Sequence, residues 1–262
     1  FGRRYGWGPC RRPSRHRRTG VDVATQRSAR HDASMRRLLP EPADDISVDE
    51  AYAGPLGSDP RRPWVGLCMV ASIDGSIAVA GTSGGLSSPT DIEVLGRLRQ
   101  LADVIVVGAG TVSDEGYGPP QKPDQRIGVV TRAGNLDLSS ELFRSGSAFV
   151  VTTEDANFDT GGIDVVRAGI GSVDFRLAIE RIATLVPTCA VVQAEGGARL
   201  NGALLDADVI DEINVTMSAS AVGGDGPRLA AGAGSHSHRF ELGQLAVDEQ
   251  SFLYARWLRR RD

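Results

Sequence analysis

The stretch Asp103-Val104-Ile105-Val106-Val107-Gly108-Ala109-Gly110-Thr111 decides the fold that we predict for this chain. Its four consecutive β-branched residues are typical of a parallel strand that is covered on both faces. Two glycines follow directly, and glycine lets the chain turn tightly because it carries no Cβ. The stretch therefore predicts a buried strand and a turn that leads into a helix.

The same alternation of strands and helices extends over most of the chain. Hydrophobic periodicity predicts strands at residues 64–71, 127–131, 148–152, 163–166 and 190–192, and helices at 175–186 and 198–207. Near the C-terminus, Ile213, Val215 and Met217 alternate with polar residues, and two further strand-like runs follow with no helix between them. We therefore predict an α/β fold with a mostly parallel central sheet, flanked by helices and finished by C-terminal antiparallel strands.

One further helix is predicted between the first two strands. Ser88 can cap it and Pro89 suits its first turn, where the missing N–H is not needed. We expect the buried face of this helix to consist of apolar residues at helical spacing, namely Ile92, Leu95, Leu98 and Leu101.

Length and composition exclude several classes of protein. The chain has 262 residues, of which 41% are apolar, so it can bury a sizeable core. No apolar run reaches the roughly 18 residues of a membrane-spanning helix, so we expect no membrane partner. The three cysteines, Cys10, Cys68 and Cys189, are far apart, which argues against a disulfide framework and favours a cytoplasmic location.

Charge is divided unevenly along the chain. Residues 1–37 hold eleven arginines and two acids, a balance of +9. Because the whole chain has a net charge of −4, the remaining residues carry a net charge of −13. An acidic body is a poor partner for nucleic acid, because that binding depends on a basic surface.

We expect residues 1–37 to be a disordered Arg-rich extension, with Met35 as a possible start, and 38–63 to be a surface lead-in. Residues 64–262 would then form a single domain.

Two glycine-bearing turns are the leading candidates for a ligand site. Gly108-Ala109-Gly110-Thr111 and Glu195-Gly196-Gly197-Ala198 each follow a buried strand. Backbone N–H groups at such turns can approach phosphate oxygens closely, and in open α/β sheets ligands bind outside the carboxyl ends of the strands. Thr131-Arg132 leaves a third strand end, where a guanidinium would suit the 2′-phosphate of NADP. Taken alone, each turn is explained more simply by tight-turn packing.

Asp74 is the single acid in the loop after the first strand, beside Ser72 and Gly75. In a partly closed pocket its pKa would rise by desolvation, so that it could hold or orient a proton for a nitrogen heterocycle. An ordinary Asp-Gly turn is the alternative. The histidines have no Cys or acid at metal-binding spacing, and no serine nucleophile elbow or zinc deaminase signature occurs, so we expect no metal.

In order and spacing, these motifs resemble the reductase domain of riboflavin biosynthesis, which has a dihydrofolate-reductase-like fold. The resemblance rests on 71–75, 102–112, 195–200, 211–212 and 223–224, and it covers most of residues 64–258. It implies an NADPH-dependent homodimer that reduces the ribosylamino group of 5-amino-6-(5-phosphoribosylamino)uracil by hydride transfer to C1′.

The resemblance also implies roles for individual residues. Asp74 and Glu195 would be catalytic, and Ser72, Asp74 and Ser88 would face the substrate. NADPH would be held by residues of the two glycine-bearing turns, namely Gly108, Ala109, Gly110, Thr111, Gly196, Gly197, Ala198, Arg199 and Leu200. Three further residues would lie at its adenosine end, namely Thr131, Arg132 and Thr152.

The chain departs from that family at three places. Cys68 stands where a lysine is usual, Asp91 where an arginine is usual, and residues 114–119 replace an Asp-x-Pro stretch with a phosphate-binding arginine. Loss of these cations favours a substrate without phosphate, so reduction of a pteridine such as dihydrofolate is an alternative. A catalytically silent NADP-binding protein is another.

Overall fold

The strands of the computed structural model, which describes residues 34–261, form one sheet. In chain order they are β1 (Met35–Leu39), β2 (Ala43–Ile46), β3 (Trp64–Ser72), β4 (Val104–Gly108), β5 (Arg126–Val130), β6 (Ala148–Thr152), β7 (Val165–Arg167), β8 (Val191–Ala194), β9 (Glu212–Ser218), β10 (Phe240–Asp248) and β11 (Leu253–Arg259). Their order across the sheet is β2-β1-β10-β11-β9-β3-β8-β4-β5-β6-β7.

The helices of the described residues are α1 (Val48–Ala51), α2 (Pro89–Leu101), α3 (Ala109–Glu115), α4 (Glu141–Arg144), α5 (Phe175–Leu185) and α6 (Ala198–Asp206). The valine and isoleucine residues of β4 are buried, because α5 and α6 contribute to the core on one face of the sheet and a second apolar cluster covers the other. The buried, β-branched strand predicted at residues 104–107 is therefore confirmed.

Strand direction follows the prediction. The seven strands from β9 across β3 to β7 pair in parallel, whereas β9 with β11, β11 with β10, and β10 with β1 pair antiparallel. The α/β fold with a mostly parallel sheet and C-terminal antiparallel strands is confirmed.

The predicted buried face of α2 is partly wrong. Ser88 caps the helix as expected, since its side chain accepts a hydrogen bond from the backbone N–H of Asp91. However, the buried residues of α2 are Thr90, Asp91, Val94 and Leu98, and 63% of Ile92 is exposed. The helix is turned so that an acidic side chain of its first turn, and not Ile92, lies against the sheet.

The predicted boundary at Trp64 is also wrong. Residues 34–51 contain β1, β2 and α1, and β1 pairs with β10 from Met35 to Leu39. Met35 is only 1% exposed, so the part of the expected Arg-rich extension that begins there belongs to the sheet and the core. The rest of that expectation, residues 1–33, lies outside the described residues.

A buried arginine holds this N-terminal segment against the sheet. Arg256 of β11 is 2% exposed, and it donates hydrogen bonds to the backbone oxygens of Ala51 (3.0 Å) and Gly54 (2.7 Å). Its guanidinium also lies over the ring of Tyr52, 4.8 Å from the centroid, and pairs with Glu212 at 2.7 Å. The segment that sequence reasoning placed on the surface is therefore fixed by polar and apolar contacts together.

Among the described residues, no helix has the length and apolar character that crossing a membrane requires. The cytoplasmic location stays a prediction.

The packing of Met35 leads to a test of the corrected boundary. We expect Met35→Ala to lower the free energy of unfolding by about 2–5 kcal/mol, because it leaves a cavity in a filled core. Leu39→Ala, at an exposed position of the same strand, should change it by no more than about 0.5 kcal/mol. Urea unfolding of both variants measures the difference, and equal effects would contradict the assignment of Met35 to the core.

Candidate active site

The two glycine-bearing turns lie against each other. Their strands, β4 and β8, are parallel neighbours, so both turns leave the same edge of the sheet. The backbone N–H of Gly108 donates a hydrogen bond to the backbone oxygen of Gly196 at 2.7 Å, and Glu195 N–H donates to the oxygen of Val106 at 3.0 Å. The structure thus brings together the two segments that sequence reasoning proposed as phosphate cradles; we call the pair, residues 108–111 and 195–200, the double turn.

Glycine is required at the double turn for steric reasons. Gly196 has a φ of +86°, a conformation that side chains disfavour, and a Cβ there would meet the Met69 sulfur at 3.0 Å. A Cβ on Gly197 would lie 2.9 Å from Thr111 Oγ1, whereas the φ of this residue is −73° and suits any side chain. A side chain at Gly196 would therefore press against β3, and one at Gly197 would press against the other turn.

Both helices that begin at the double turn lack a side-chain cap. Gly108 is the N-cap residue of α3 and Gly197 that of α6, and neither can offer a side-chain acceptor to the first-turn N–H groups. By contrast, Ser88 caps α2 and Asp174 caps α5 through side-chain oxygens. Within residues 34–261, two helix N-termini therefore present donors without a side-chain partner, and the positive ends of their dipoles, side by side.

The remaining cofactor candidates lie in different environments. Leu200 is buried in the core and Arg199 is exposed, while the backbone oxygen of Ala198 accepts a hydrogen bond from Ala231 N–H at 2.9 Å. Ala109, Gly110 and Thr111 form the first turn of α3. These residues can contribute backbone groups to the double turn, but the Leu200 side chain cannot face a ligand.

The three residues expected near the adenosine end are not equally accessible. Arg132 is exposed at the end of β5, and its charge contributes to the lowered pKa of Asp155, after the hydrogen bonds to Gly171 and Thr153. Thr131 Oγ1 accepts a hydrogen bond from Gly134 N–H at 3.0 Å. Thr152 is completely buried, with no partner for its hydroxyl among the described residues, so its side chain does not face a surface ligand site.

Glu195 is fully engaged by three side chains. Arg99 donates to both of its oxygens, at 2.8 and 2.6 Å, the Tyr117 hydroxyl donates at 2.6 Å, and Gln193 Nε2 at 2.8 Å. Burial and the neighbouring Glu195 charge raise the pKa of Tyr117 well above its usual value, so the phenol stays a donor. Glu195 is therefore a carboxylate held in place at the start of the double turn.

Arg99 and Tyr117 are functional candidates that sequence reasoning missed. Arg99 lies at the end of α2 and Tyr117 follows α3, so their meeting at Glu195 depends on the packing of three separate elements. The Arg99 guanidinium also lies 5.2 Å from the Tyr117 ring centroid. The signal available in the sequence was the departure of residues 114–119 from the family pattern, which marked the position of Tyr117 without indicating its partner.

The expectation of a raised pKa at Asp74 is wrong. Its side chain is exposed and accepts hydrogen bonds from Ser72 Oγ (2.5 Å), Val222 N–H (3.1 Å) and Gly223 N–H (2.6 Å). These three donors, Ser72 first, stabilise the ionised form and lower the pKa of Asp74 to about 2. At neutral pH this residue accepts hydrogen bonds and is not a proton donor.

The two serines expected on the substrate side have structural partners. Ser72 is 1% exposed, and its hydroxyl holds Asp74 and accepts the N–H of Ser76 at 2.9 Å. Ser88 is 4% exposed and lies 3.2 Å from the hydroxyl of Tyr254. Ser72 therefore positions Asp74, and Ser88 is a helix cap with little surface for a ligand.

Cys68 of β3 is affected by two nearby acids. Burial first, and then the charges of Asp91 and Glu195, raise the pKa of the Cys68 thiol well above its usual value. The thiol is therefore protonated at neutral pH and is a poor nucleophile.

The contacts of Asp74 give a pH prediction. Because its pKa is lowered from 3.8 to about 2 on folding, its stabilising contacts are present above the ordinary value and are lost only as pH falls through about 2. We expect the Asp74 carboxyl carbon resonance, assigned with an Asp74→Asn variant, to shift little between pH 5 and 3. Ser72→Ala should move its midpoint back toward the ordinary value, and a wild-type midpoint near 4 would contradict the geometry.

Comparison with known proteins gives the chain its family. A family model described as the RibD C-terminal domain matches residues 63–254. The 2,5-diamino-6-ribosylamino-4(3H)-pyrimidinone 5′-phosphate reductases of Methanothermobacter thermautotrophicus and Aquifex aeolicus are 27% identical over 190 residues and 28% over 193; each alignment covers 66% of this chain, and 86% and 85% of the respective relative. A solved pyrimidine reductase-like protein from Corynebacterium diphtheriae shares the fold, with a TM-score of 0.67, 24% identity, and coverage of 76% of this chain and 93% of that one. Since the family model spans well over half of its residues, the chain belongs to the RibD C-terminal domain family and is an oxidoreductase.

Proposed function

We propose that this protein is an NADPH-dependent reductase of a ribosylaminopyrimidine precursor of riboflavin. The observation that carries the proposal is the double turn, in which two uncapped helix N-termini meet at neighbouring strand ends. The names of the relatives support the pyrimidine substrate.

The residues of the double turn fit a dinucleotide. Because Gly108, Gly196 and Gly197 carry no Cβ, no side chain at these positions would stand between the backbone N–H groups of the turns and a pyrophosphate. Arg132 is the exposed guanidinium proposed for the 2′-phosphate, where a bound phosphate would compete with Asp155 for its charge. When bound, NADPH would supply the hydride.

The carboxylates near the site have binding and positioning roles in this proposal. Asp74 is ionised and partly saturated by backbone N–H groups, so it can accept one further N–H or O–H from a substrate but is a poor proton donor at neutral pH. Glu195 is paired with Arg99 and so orders the start of the double turn. We therefore expect water, and not Asp74, to supply the proton that accompanies reduction at C1′. Asp74 is exposed, so water can reach this part of the site.

A homodimer is part of the same proposal. Met217 of β9 and Trp257 of β11 are 38% and 36% exposed, which leaves apolar surface on the antiparallel half of the sheet. Such surface is typical of an interface between copies. Light scattering of the purified protein at micromolar concentration should give twice the mass of one chain, and a single-chain mass would remove the dimer from the proposal.

A substitution in the double turn tests the cofactor site. Gly197→Val places a branched side chain against Thr111 of the other turn, so the two turns must move apart. We expect this change to weaken NADPH binding by roughly tenfold or more, a loss of at least about 1.4 kcal/mol. Gly96→Val, at a helix position with open space, is the matched control and should bind normally. Calorimetry measures both, with circular dichroism to confirm folding; normal NADPH affinity in a folded Gly197→Val protein would contradict the proposed site.

The substrate is tested by NADPH oxidation. The assay compares the diaminopyrimidinone phosphate named for the relatives, the corresponding uracil phosphate and dihydrofolate. We expect turnover of a ribosylaminopyrimidine. Turnover of dihydrofolate alone would favour the pteridine alternative, and NADPH binding with no turnover of any substrate would contradict the reductase proposal.

A further inference from the structure

Residues 34–57, which precede β3, place one large side chain against α2. Tyr52 is only 1% exposed and packs in the apolar cluster that also contains Leu98 of α2. Its ring centroid lies 4.8 Å from the Arg256 guanidinium, and its backbone oxygen accepts a hydrogen bond from Arg97 Nε at 2.9 Å. The backbone and the ring of Tyr52 are therefore both held in place.

The hydroxyl of Tyr52 lacks the partner that such burial normally requires. A hydroxyl in the interior is costly without a hydrogen bond, so buried tyrosines usually have one. Tyr254 donates to Asp248 at 2.8 Å, and Tyr117 donates to Glu195 at 2.6 Å. The Tyr52 hydroxyl, by contrast, forms no hydrogen bond with any group of residues 34–261. It is the exception among the tyrosines of the described chain.

The hydroxyl oxygen of Tyr52 is not completely enclosed by the protein. Within residues 34–261, the enclosed side-chain atoms that lack a hydrogen bond belong to Ser140, Thr152, Asn201 and Gln244. Because the Tyr52 oxygen is not one of these atoms, the small exposed part of this residue includes its hydroxyl. A hydrogen-bond donor without a partner therefore faces an opening and not the packed core.

This opening lies beside the candidate active site. Cys68 of β3 packs against the cluster that contains Tyr52 and is itself half-buried. In the parallel pair of β3 and β8, Leu67 is paired with Ala194, so the next residues, Cys68 and Glu195, lie side by side. Glu195 directly precedes the double turn. A ligand held at the double turn is therefore close to the side of α2 that Tyr52 occupies.

Asp91 of α2 lies on the same side and does not satisfy the hydroxyl. It is 9% exposed and forms no ion pair within the described part of the chain, and burial raises its pKa although the hydroxyls of Thr216 and Ser87 oppose this. Burial also raises the pKa of Tyr52, and the nearby Cys68 and Asp91 raise it further. The phenol therefore stays protonated at neutral pH and can donate to a ligand.

We propose that Tyr52 is a substrate-binding residue whose hydroxyl donates a hydrogen bond to a ring carbonyl oxygen of the ligand. The inference rests on the proposed function and deepens it, because it adds a binding contact from residues 34–57. These residues precede the part of the chain that the family model matches, residues 63–254, so the contact comes from outside the matched domain. The diaminopyrimidinone, the uracil and dihydrofolate all carry a ring carbonyl, so the contact does not select among them.

The variant Tyr52→Phe removes the hydroxyl and keeps the ring beside Arg256. Because the hydroxyl has no partner in the described protein, we expect a urea midpoint no lower than that of wild type. Tyr254→Phe makes the same change at a hydroxyl that donates to Asp248, and its midpoint should be lower. For the ribosylaminopyrimidine that wild type reduces, kcat/KM of Tyr52→Phe should fall by roughly 5- to 100-fold, as expected when a buried acceptor loses its donor.

A second measurement reports on the contact without turnover. The chain has four tyrosines, so protein labelled with ¹³C at the tyrosine Cζ gives few resonances, and Tyr52→Phe assigns that of Tyr52. We expect this resonance to shift when the diaminopyrimidinone phosphate is added together with NADP⁺. The resonance of Tyr254 should stay in place, since its hydroxyl already donates to Asp248.

The outcomes separate this inference from the proposed function. If wild type reduces a pyrimidine, then an unchanged kcat/KM in Tyr52→Phe overturns the binding role and leaves the reductase proposal intact. A urea midpoint of Tyr52→Phe below that of wild type, or failure of this variant to fold, also overturns the binding role, because the hydroxyl then has a partner inside the protein. If wild type reduces no pyrimidine, the reductase proposal fails and the Tyr52 resonance decides: a shift supports the contact, and no shift overturns it.

Discussion

The hydrogen bond from Gly108 N–H to the Gly196 oxygen is the contact on which the candidate active site depends. It joins two turns that are far apart in the sequence but leave adjacent parallel strands. Because neither turn has a side chain at the contact, the N-termini of α3 and α6 lie next to each other. A Cβ at Gly197 would meet Thr111 Oγ1 at 2.9 Å and push the two turns apart, so the geometry of the site depends on the absence of side chains as much as on their presence.

Around this contact, the protein treats its acids in three different ways. Glu195 is buried and neutralised by Arg99, Asp74 is exposed and stabilised by Ser72 and backbone N–H groups, and Asp91 is buried without a cation among the described residues. The same functional group is thereby a fixed structural anion, an exposed acceptor and an incompletely compensated charge. Environment, and not residue type, determines what each carboxylate can do.

The elements that could be predicted are those whose burial is indicated by residues next to one another in the sequence. The β-branched run of β4 and the glycines after it specify a covered strand and a turn, and the comparisons and the structure agree with the fold derived from them. The strand β1 could not be found in this way, since Arg36 and Arg37 hide its pattern and its partner β10 lies some two hundred residues away. For the same reason Arg99 and Tyr117 were missed: each meets Glu195 only through tertiary packing.

The N-terminal strands have a consequence for how the molecule avoids association with itself. With β1 and β2 in place, the outer strands of the described sheet are β2 and β7, which have four and three residues. Without them, the nine-residue β10 would present its backbone donors and acceptors to any passing chain. Short outer strands offer few backbone groups for such pairing. By covering β10, the N-terminal segment removes a long unpaired strand through which the protein could aggregate.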